Sequence, residues 1–345
     1  MNCKEICSII PPHILRHIVR RGTPRQKDCA LQTLMQTEQF RGQRSMMGRF
    51  PFLAVMPLTE KKRTVYDAAQ GFELPGELVR AETDKKSKDV SVNQAYDGAG
   101  MHYDFFQKVY QRNSLDNHGF PLNSTVHYGK KYDNAFWNGR QMVYGDGDGD
   151  LFGSFTKCLD VIGHELTHGI VQFEANLSYR GQSGALNESF ADVFGSLLKQ
   201  YKKRQTVKEA DWLIGQGLFT PQVKGLALRS MKEPGTAYDD PVLGRDPQPA
   251  HMKDYVNTSS DNGGVHLNSG IPNRAFYEAA ARIGGYAWKK TGLIWYLTLR
   301  DRLKEDSDFQ AAAQLTFSAA QDSFGAGSQE AKAVKQAWRA VGIEF

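Results

Sequence analysis

Four cysteines in 345 residues are few, and no two of them stand in a CxxC pair. That scarcity argues against a disulfide framework and against a cysteine-rich zinc module, and it suits a reducing compartment. Long apolar runs are also missing: no window stays apolar for the roughly 18 residues that a membrane span needs. A secretory signal needs an unbroken apolar core of roughly 7–15 residues and a small-residue cleavage site. The opening MNCKEICSIIPPHILRHIVRRG has neither, because Pro11 and Pro12 break its apolar run and Arg16, Arg20 and Arg21 follow. The expectation is a chain made in the cytoplasm without such a signal, released, if at all, by a non-classical route. Low-complexity tracts and internal repeats are absent too, while 40% apolar residues suffice for real cores.

Charge is present but uneven. Of the net +5, residues 1–50 carry +6 (nine Lys or Arg against three Asp or Glu), and the remainder carries −1. A basic arm for nucleic acid or a membrane is the ordinary meaning of such an end. Regular apolar spacing speaks against both. Ile14, Leu15, Ile18 and Val19 share one face of a helix expected over 12–21, with Pro12 suited to its first turn. Asp28 is expected to cap a second helix with a Leu31, Leu34 and Met35 stripe. After Phe40, RGQRSMMGRFPF reads as an exposed connector. Residues 1–50 thus form a helical, detachable segment too small to be stable by itself.

Three further regions follow. Residues 51–158 predict a β-rich lobe, with Ser124–Tyr128 and Gln141–Tyr144 as strands and one helix near 99–112. Residues 159–174 predict a single amphipathic helix. Residues 175–345 are helical, with a capping box at Ser307–Gln310 and a last helix that starts at Ser328 and is ended by Gly342. Asp146, Asp148 and Asp150 alternate as in a calcium loop. The twelfth position would be Lys157, where a bidentate Glu is required, so a Gly-rich turn is expected.

The chemistry concentrates in DVIGHELTHGIVQF, residues 160–173. Helical spacing puts His164 and His168 one turn apart on one face, where both imidazoles can bind one zinc ion. Glu165 points around the helix, near the metal rather than on it, as a base for water. The extended motif of another zinc-peptidase class would need Gly and His where Val171 and Glu174 stand. A third ligand must therefore come from elsewhere. Glu188 in GALNESFADVFG can reach the metal, and Asp192, one turn on, can accept a hydrogen bond from the far nitrogen of a zinc histidine.

These segments belong to a longer set: YDNAFWNGRQMVYGDGDG (132–149), GHELTHG (163–169), SGALNESFAD (183–192), LRSM (228–231) and DNGGVHLNSGIPN (261–273). Through them the chain from Val65 to Phe345 resembles the thermolysin-like neutral metallopeptidases, or gluzincins. The resemblance implies an α+β fold, with a β-rich N-terminal lobe, a central active-site helix and a helical C-terminal lobe. It implies one catalytic zinc on His164, His168 and Glu188, and Glu165 as general base. Tyr179 and His266 match the family's oxyanion donors, and Asp261 the residue that orients His266. Asn134, the carbonyl of Ala135, and Arg229 match groups that hold the substrate backbone. Phe152, Phe155, Val161, Ile214 and Leu228 match the wall of an apolar pocket. Cleavage of proteins or peptides on the N-terminal side of large apolar residues is the implied activity. Two departures stand out. Asp160 and Asp211 match the family's calcium cluster, but Lys199 and Gln216 fall where carboxylates are wanted, so a double calcium site is not expected. Lys157-Cys158 replaces glycines before the active-site helix, so hinge behaviour is expected to differ.

The front segment resembles the short propeptide of the protealysin-like branch, through Pro11-Pro12-His13-Ile14-Leu15. That implies a monomeric zymogen inhibited by its own propeptide, with a proteinaceous inhibitor as a further partner and no nucleic acid or membrane. The boundary is expected between residues 45 and 64, with Ser45–Met46, Arg49–Phe50 and Pro51–Phe52 as candidate self-cleavage bonds. A latch on the zinc by Cys3, Cys7 or His13 stays open. Against an inactive binding protein stand Glu165 and His266. Against an aminopeptidase stands the lack of a GxMEN-type block, with only Asn134-Ala135 in its place.

Overall fold

The computed structural model describes residues 7–47 and 60–345, of which 40–47 are described by backbone alone. Cys3 and the bonds Arg49–Phe50 and Pro51–Phe52 lie outside the described residues.

The front segment begins with a two-residue strand, β1 (Cys7–Ser8), followed by α1 (Pro12–Arg21) and α2 (Pro24–Met47). Pro11 is extended and Pro12 is the first helical residue of α1, where a missing N–H costs nothing. The second helix corrects the expectation at both ends. It begins at Pro24 rather than after Asp28, because Thr23 and Gln26 form a reciprocal cap. The Thr23 N–H donates to Gln26 Oε1 at 2.9 Å and the Gln26 N–H to Thr23 Oγ1 at 3.4 Å. It then runs on to Met47, through residues expected to be a connector. Arg, Gln and Met are good helix formers, and the one Gly there costs only about 1 kcal/mol.

Six strands make one sheet: β1, β2 (Arg63–Asp67), β3 (Glu77–Arg80), β4 (Leu122–Val126), β5 (Ala135–Trp137) and β6 (Met142–Tyr144). Their spatial order is β1-β5-β6-β4-β2-β3, so the front segment supplies an edge strand. The β2–β4 and β4–β6 pairs are parallel and the rest antiparallel. Helix α3 (Val90–Tyr110) starts earlier than the expected residue 99, capped by Asp89, which accepts the Val92 N–H at 3.1 Å. Gly98 weakened the apolar period there. It is a point of close approach, since a Cβ on it would meet Ile162 Cδ1 at 2.5 Å. In the DGDG stretch Asp148 Oδ1 accepts the N–H groups of Asp150, Leu151 and Phe152, which makes a tight turn.

At the centre α4 (Leu159–Phe173) packs on α5 (Gly181–Lys203), and nearly every residue of both is buried. Five more helices complete the C-terminal lobe: α6 (Asp261–Asn268), α7 (Gly270–Ile283), α8 (Thr291–Asp301), α9 (Phe309–Phe324) and α10 (Gln329–Ala340). The cap of α9 is Asp308, which accepts the Ala311 N–H at 2.8 Å, and not Ser307, which accepts from Lys304. Ser328 caps α10 as expected. One continuous core joins both lobes and takes in Ile9, Ile10, Ile14, Leu15 and Ile18 of the front segment. Burying such a side chain contributes about 1.5–3 kcal/mol, so the segment is held mainly by its apolar face.

Candidate active site

Helix α4 presents His164 and His168 inward, and α5 crosses it with Glu188 facing both. The two Nε2 atoms are 3.0 Å apart, and Glu188 oxygens lie 3.4 Å from His164 Nε2 and 3.5 Å from His168 Nε2. Zinc bonds of 2.0–2.2 Å in a tetrahedron separate ligand atoms by about 3.3 Å, so the three groups fit one ion. Each imidazole is oriented from behind. His164 Nδ1 donates to Asp192 Oδ1 and His168 Nδ1 to Asn187 Oδ1, both at 2.8 Å, which turns the Nε2 lone pairs inward. Burial opposes charge on both rings. At His164 the carboxylates of Asp192 and Glu188 overcome it and raise the pKa to about 9. At His168 burial wins and lowers it to about 3.

Glu165, next to His164, is fully buried. Its Oε2 accepts the Trp137 N–H of β5 at 3.0 Å, and its Oε1 accepts no hydrogen bond among the described residues. Burial pushes its pKa well above the usual carboxylate range. Glu188 Oε2, 3.4 Å from His164 Nε2, is likewise buried without a hydrogen bond among the described residues.

Across the cleft a run of positive φ from Asp261 to Gly264 opens α6. Asp, Asn and Gly are the residue types that tolerate this conformation. The turn brings His266 back over Asp261, whose carboxylate accepts its backbone N–H at 3.0 Å and faces its Nδ1 at 2.7 Å. Tyr179 donates its hydroxyl to Glu188 and lies 3.2 Å from His266 Nε2. Asp192 receives two hydrogen bonds of 2.8 Å from the guanidinium of Arg229 and one of 2.9 Å from Asn273.

The front segment lies in this cleft. Cys7 and Ser8 pair antiparallel with Trp137 and Phe136. The Ile9 N–H donates to Ala135 O at 3.1 Å, the Ile10 N–H to Asn134 Oδ1 at 2.9 Å, and Asn134 Nδ2 to Ile10 O at 3.3 Å. Arg229 Nη1 donates to Ile9 O at 3.1 Å, and His266 Nε2 lies 3.0 Å from Ser8 O. Phe152, Phe155, Val161, Ile214 and Leu228 are buried in the same core as Ile9. His13 faces Tyr238 at 3.1 Å instead of the histidine pair.

Family profiles match in chain order: the protealysin propeptide over residues 7–45, the catalytic domain of thermolysin metallopeptidase over 37–172 and its alpha-helical domain over 175–343. An extracellular metalloprotease of Pectobacterium carotovorum subsp. carotovorum is 53% identical over 100% of this chain and 98% of its own. This chain belongs to the thermolysin family of metallopeptidases. Within that family, Protease PrtS of Photorhabdus sp. (strain Az29) is 47% identical over 97% of this chain and 92% of its own. Among solved structures, the precursor of protealysin, a metalloproteinase from Serratia proteamaculans, superposes with a TM-score of 0.89 at 53% identity, over 98% of this chain and 99% of that one. The expected α+β, two-lobed fold with a propeptide is thus the observed one. The family is zinc-dependent, and the chain is a metallopeptidase with a propeptide.

Some contacts had no assigned residue in the sequence. Asn187 and Asn273 sit inside quoted motifs, yet nothing local distinguishes their amides from surface ones. The Trp137 N–H is a backbone group with no sequence mark. Where carboxylates were wanted, Lys199 Nζ lies 2.9 Å from Asp160, 2.8 Å from Asp211 and 2.6 Å from Leu213 O.

Proposed function

We propose that His164, His168 and Glu188 hold one zinc ion, that Glu165, Tyr179 and His266 act on the scissile peptide, and that the front segment inhibits the enzyme until it is removed. The observation that carries this is the convergence of two imidazole Nε2 atoms and one carboxylate, 3.0 to 3.5 Å apart. Zinc bound there supplies a Lewis acid that polarises the scissile carbonyl and acidifies water. Glu165 Oε1 takes the proton of the attacking water and passes it to the leaving nitrogen. Tyr179 and His266 donate to the carbonyl oxygen as it gains charge, with Asp261 holding the imidazole. Asn134, Ala135 and Arg229 hold the substrate backbone. Phe152, Phe155, Val161, Ile214 and Leu228 select a large apolar side chain after the cleaved bond. Lys199 takes the place of a calcium ion between Asp160 and Asp211. The enzyme acts as a monomer, outside the cell like its extracellular relatives, and a proteinaceous inhibitor fits the same cleft.

The test is casein hydrolysis by processed enzyme, with and without a zinc chelator, beside Glu165→Gln freed of its front segment by added active enzyme that is then removed. Chelation abolishes activity and zinc restores it. Glu165→Gln lowers it by about 10²–10⁴-fold while zinc content stays at one per chain. Activity that survives both overturns the mechanism. N-terminal sequencing of matured protein finds a new end between residues 45 and 64, and finds none in Glu165→Gln.

A further inference from the structure

Residues 7–10 lie in the cleft as a substrate would. Ser8 O, Ile9 O and Ile10 O face His266, Arg229 and Asn134, and the Ile9 and Ile10 N–H groups donate to Ala135 and Asn134. These are the groups assigned above to the substrate backbone and its oxyanion, so the segment presents its own Ser8–Ile9 bond to them. A segment held in this way needs a reason not to be hydrolysed.

Cys7 supplies one. It is 1% exposed, and its Sγ forms a group with ligand atoms of His168 and Glu188, all within 4.8 Å of one another. It packs with Tyr179 and Val265. Two buried carboxylate oxygens of the site, Glu188 Oε2 and Glu165 Oε1, accept no hydrogen bond among the described residues. Pairing of Cys7 with Trp137 fixes the register that puts the thiol there.

We propose that in the full chain the Cys7 thiolate is the fourth zinc ligand, resting on the zinc site proposed above. A catalytic zinc keeps one position open, whereas a zinc with four protein ligands is closed. The thiolate fills the position that water needs and turns a substrate-like segment into an inhibitor. Its proton is released to solvent on coordination, and no electron is transferred. Two neutral imidazoles, one carboxylate and one thiolate balance the charge of the ion. Release of the front segment removes the sulfur and opens the site.

X-ray absorption at the zinc edge tests this on the full-length Glu165→Gln chain, which cannot cut itself. One sulfur scatterer at about 2.3 Å is expected, together with nitrogen and oxygen. It is lost in the Cys7→Ser, Glu165→Gln chain and kept in Cys3→Ser, Glu165→Gln. With cobalt in place of zinc, a near-ultraviolet thiolate-to-metal band follows the same pattern. Zinc bound through nitrogen and oxygen alone overturns the latch and leaves the zinc site standing. Sulfur that persists without Cys7 also overturns the latch. A chain that binds no zinc overturns both. Should Cys7→Ser not fold, the spectra of the Glu165→Gln and Cys3→Ser chains still decide.

Discussion

His164, Arg229 and Asn273 all converge on the buried carboxylate of Asp192. Although burial opposes its ionisation, Arg229 and His164 hold its pKa far below the usual range. Replacing Asp192 by Ala leaves the buried Arg229 charge unpaired, at about 3–5 kcal/mol. On the zinc site proposed above, it also frees the far side of His164 and weakens zinc binding about 10–100-fold. Thermal melts and competition with a zinc indicator read the two effects separately. His127 is a second residue whose charge is set by neighbours. Hydrogen bonds to Asp146 and Asp89 outweigh burial and raise its pKa from 6.5 to about 9. A raised pKa means the folded state holds the proton more tightly. The stabilisation is full below pH 6.5 and is lost as pH rises through about 9. In the Glu165→Gln chain, His127→Asn therefore lowers the Tm at acid pH and has little effect above pH 9; an equal loss at both ends contradicts the assignment.

Among the elements, α1 decides how firmly the front segment sits. Ile14, Leu15 and Ile18 are buried in the common core while Arg16, Arg20 and Arg21 stay outside it. Ile18→Ala costs about 2–5 kcal/mol through the cavity it leaves. Because that cost falls on the docked segment, self-cleavage of the full chain becomes faster, seen as earlier appearance of the processed band on a gel. The helix itself was legible, since its apolar spacing and Pro12 are local signals. The start of α2 was legible in principle, because Thr23-Pro24-Arg25-Gln26 is a capping box with Pro at the first helical position. Asp28 competed as a cap only by residue type. The early half of α3 was hidden because Gly98 is there for contact with Ile162, which no periodicity records.

At the scale of the whole molecule, Lys199 ties α5 to Asp160 on α4 and to the Asp211–Leu213 loop. Burial disfavours its charge, but the two carboxylates more than compensate and raise its pKa. Lys199→Met removes the charge and leaves two carboxylates facing each other, at a cost of about 3–5 kcal/mol. Added calcium leaves the Tm of the native chain unchanged, because a bound cation would raise it by mass action. A calcium-dependent rise in the native chain would show that the ammonium does not fill the place of the ion.

By itself the sequence determined the helical spacing that pairs His164 with His168, the lack of an apolar span, and the long motifs that place the chain in its family. Those are properties of neighbours along the chain or of residue types in fixed order. Only the tertiary structure decided that Ser8, Ile9 and Ile10 of the front segment meet His266, Arg229 and Asn134 in the cleft, and that Cys7 comes to lie beside His168 and Glu188. Those meetings depend on an edge strand pairing across more than a hundred residues, on a left-handed turn at Asp261–Gly264 and on two helices packed face to face. Backbone hydrogen bonds between distant extended segments carry no mark in the residues that make them, because every residue offers the same N–H and C=O.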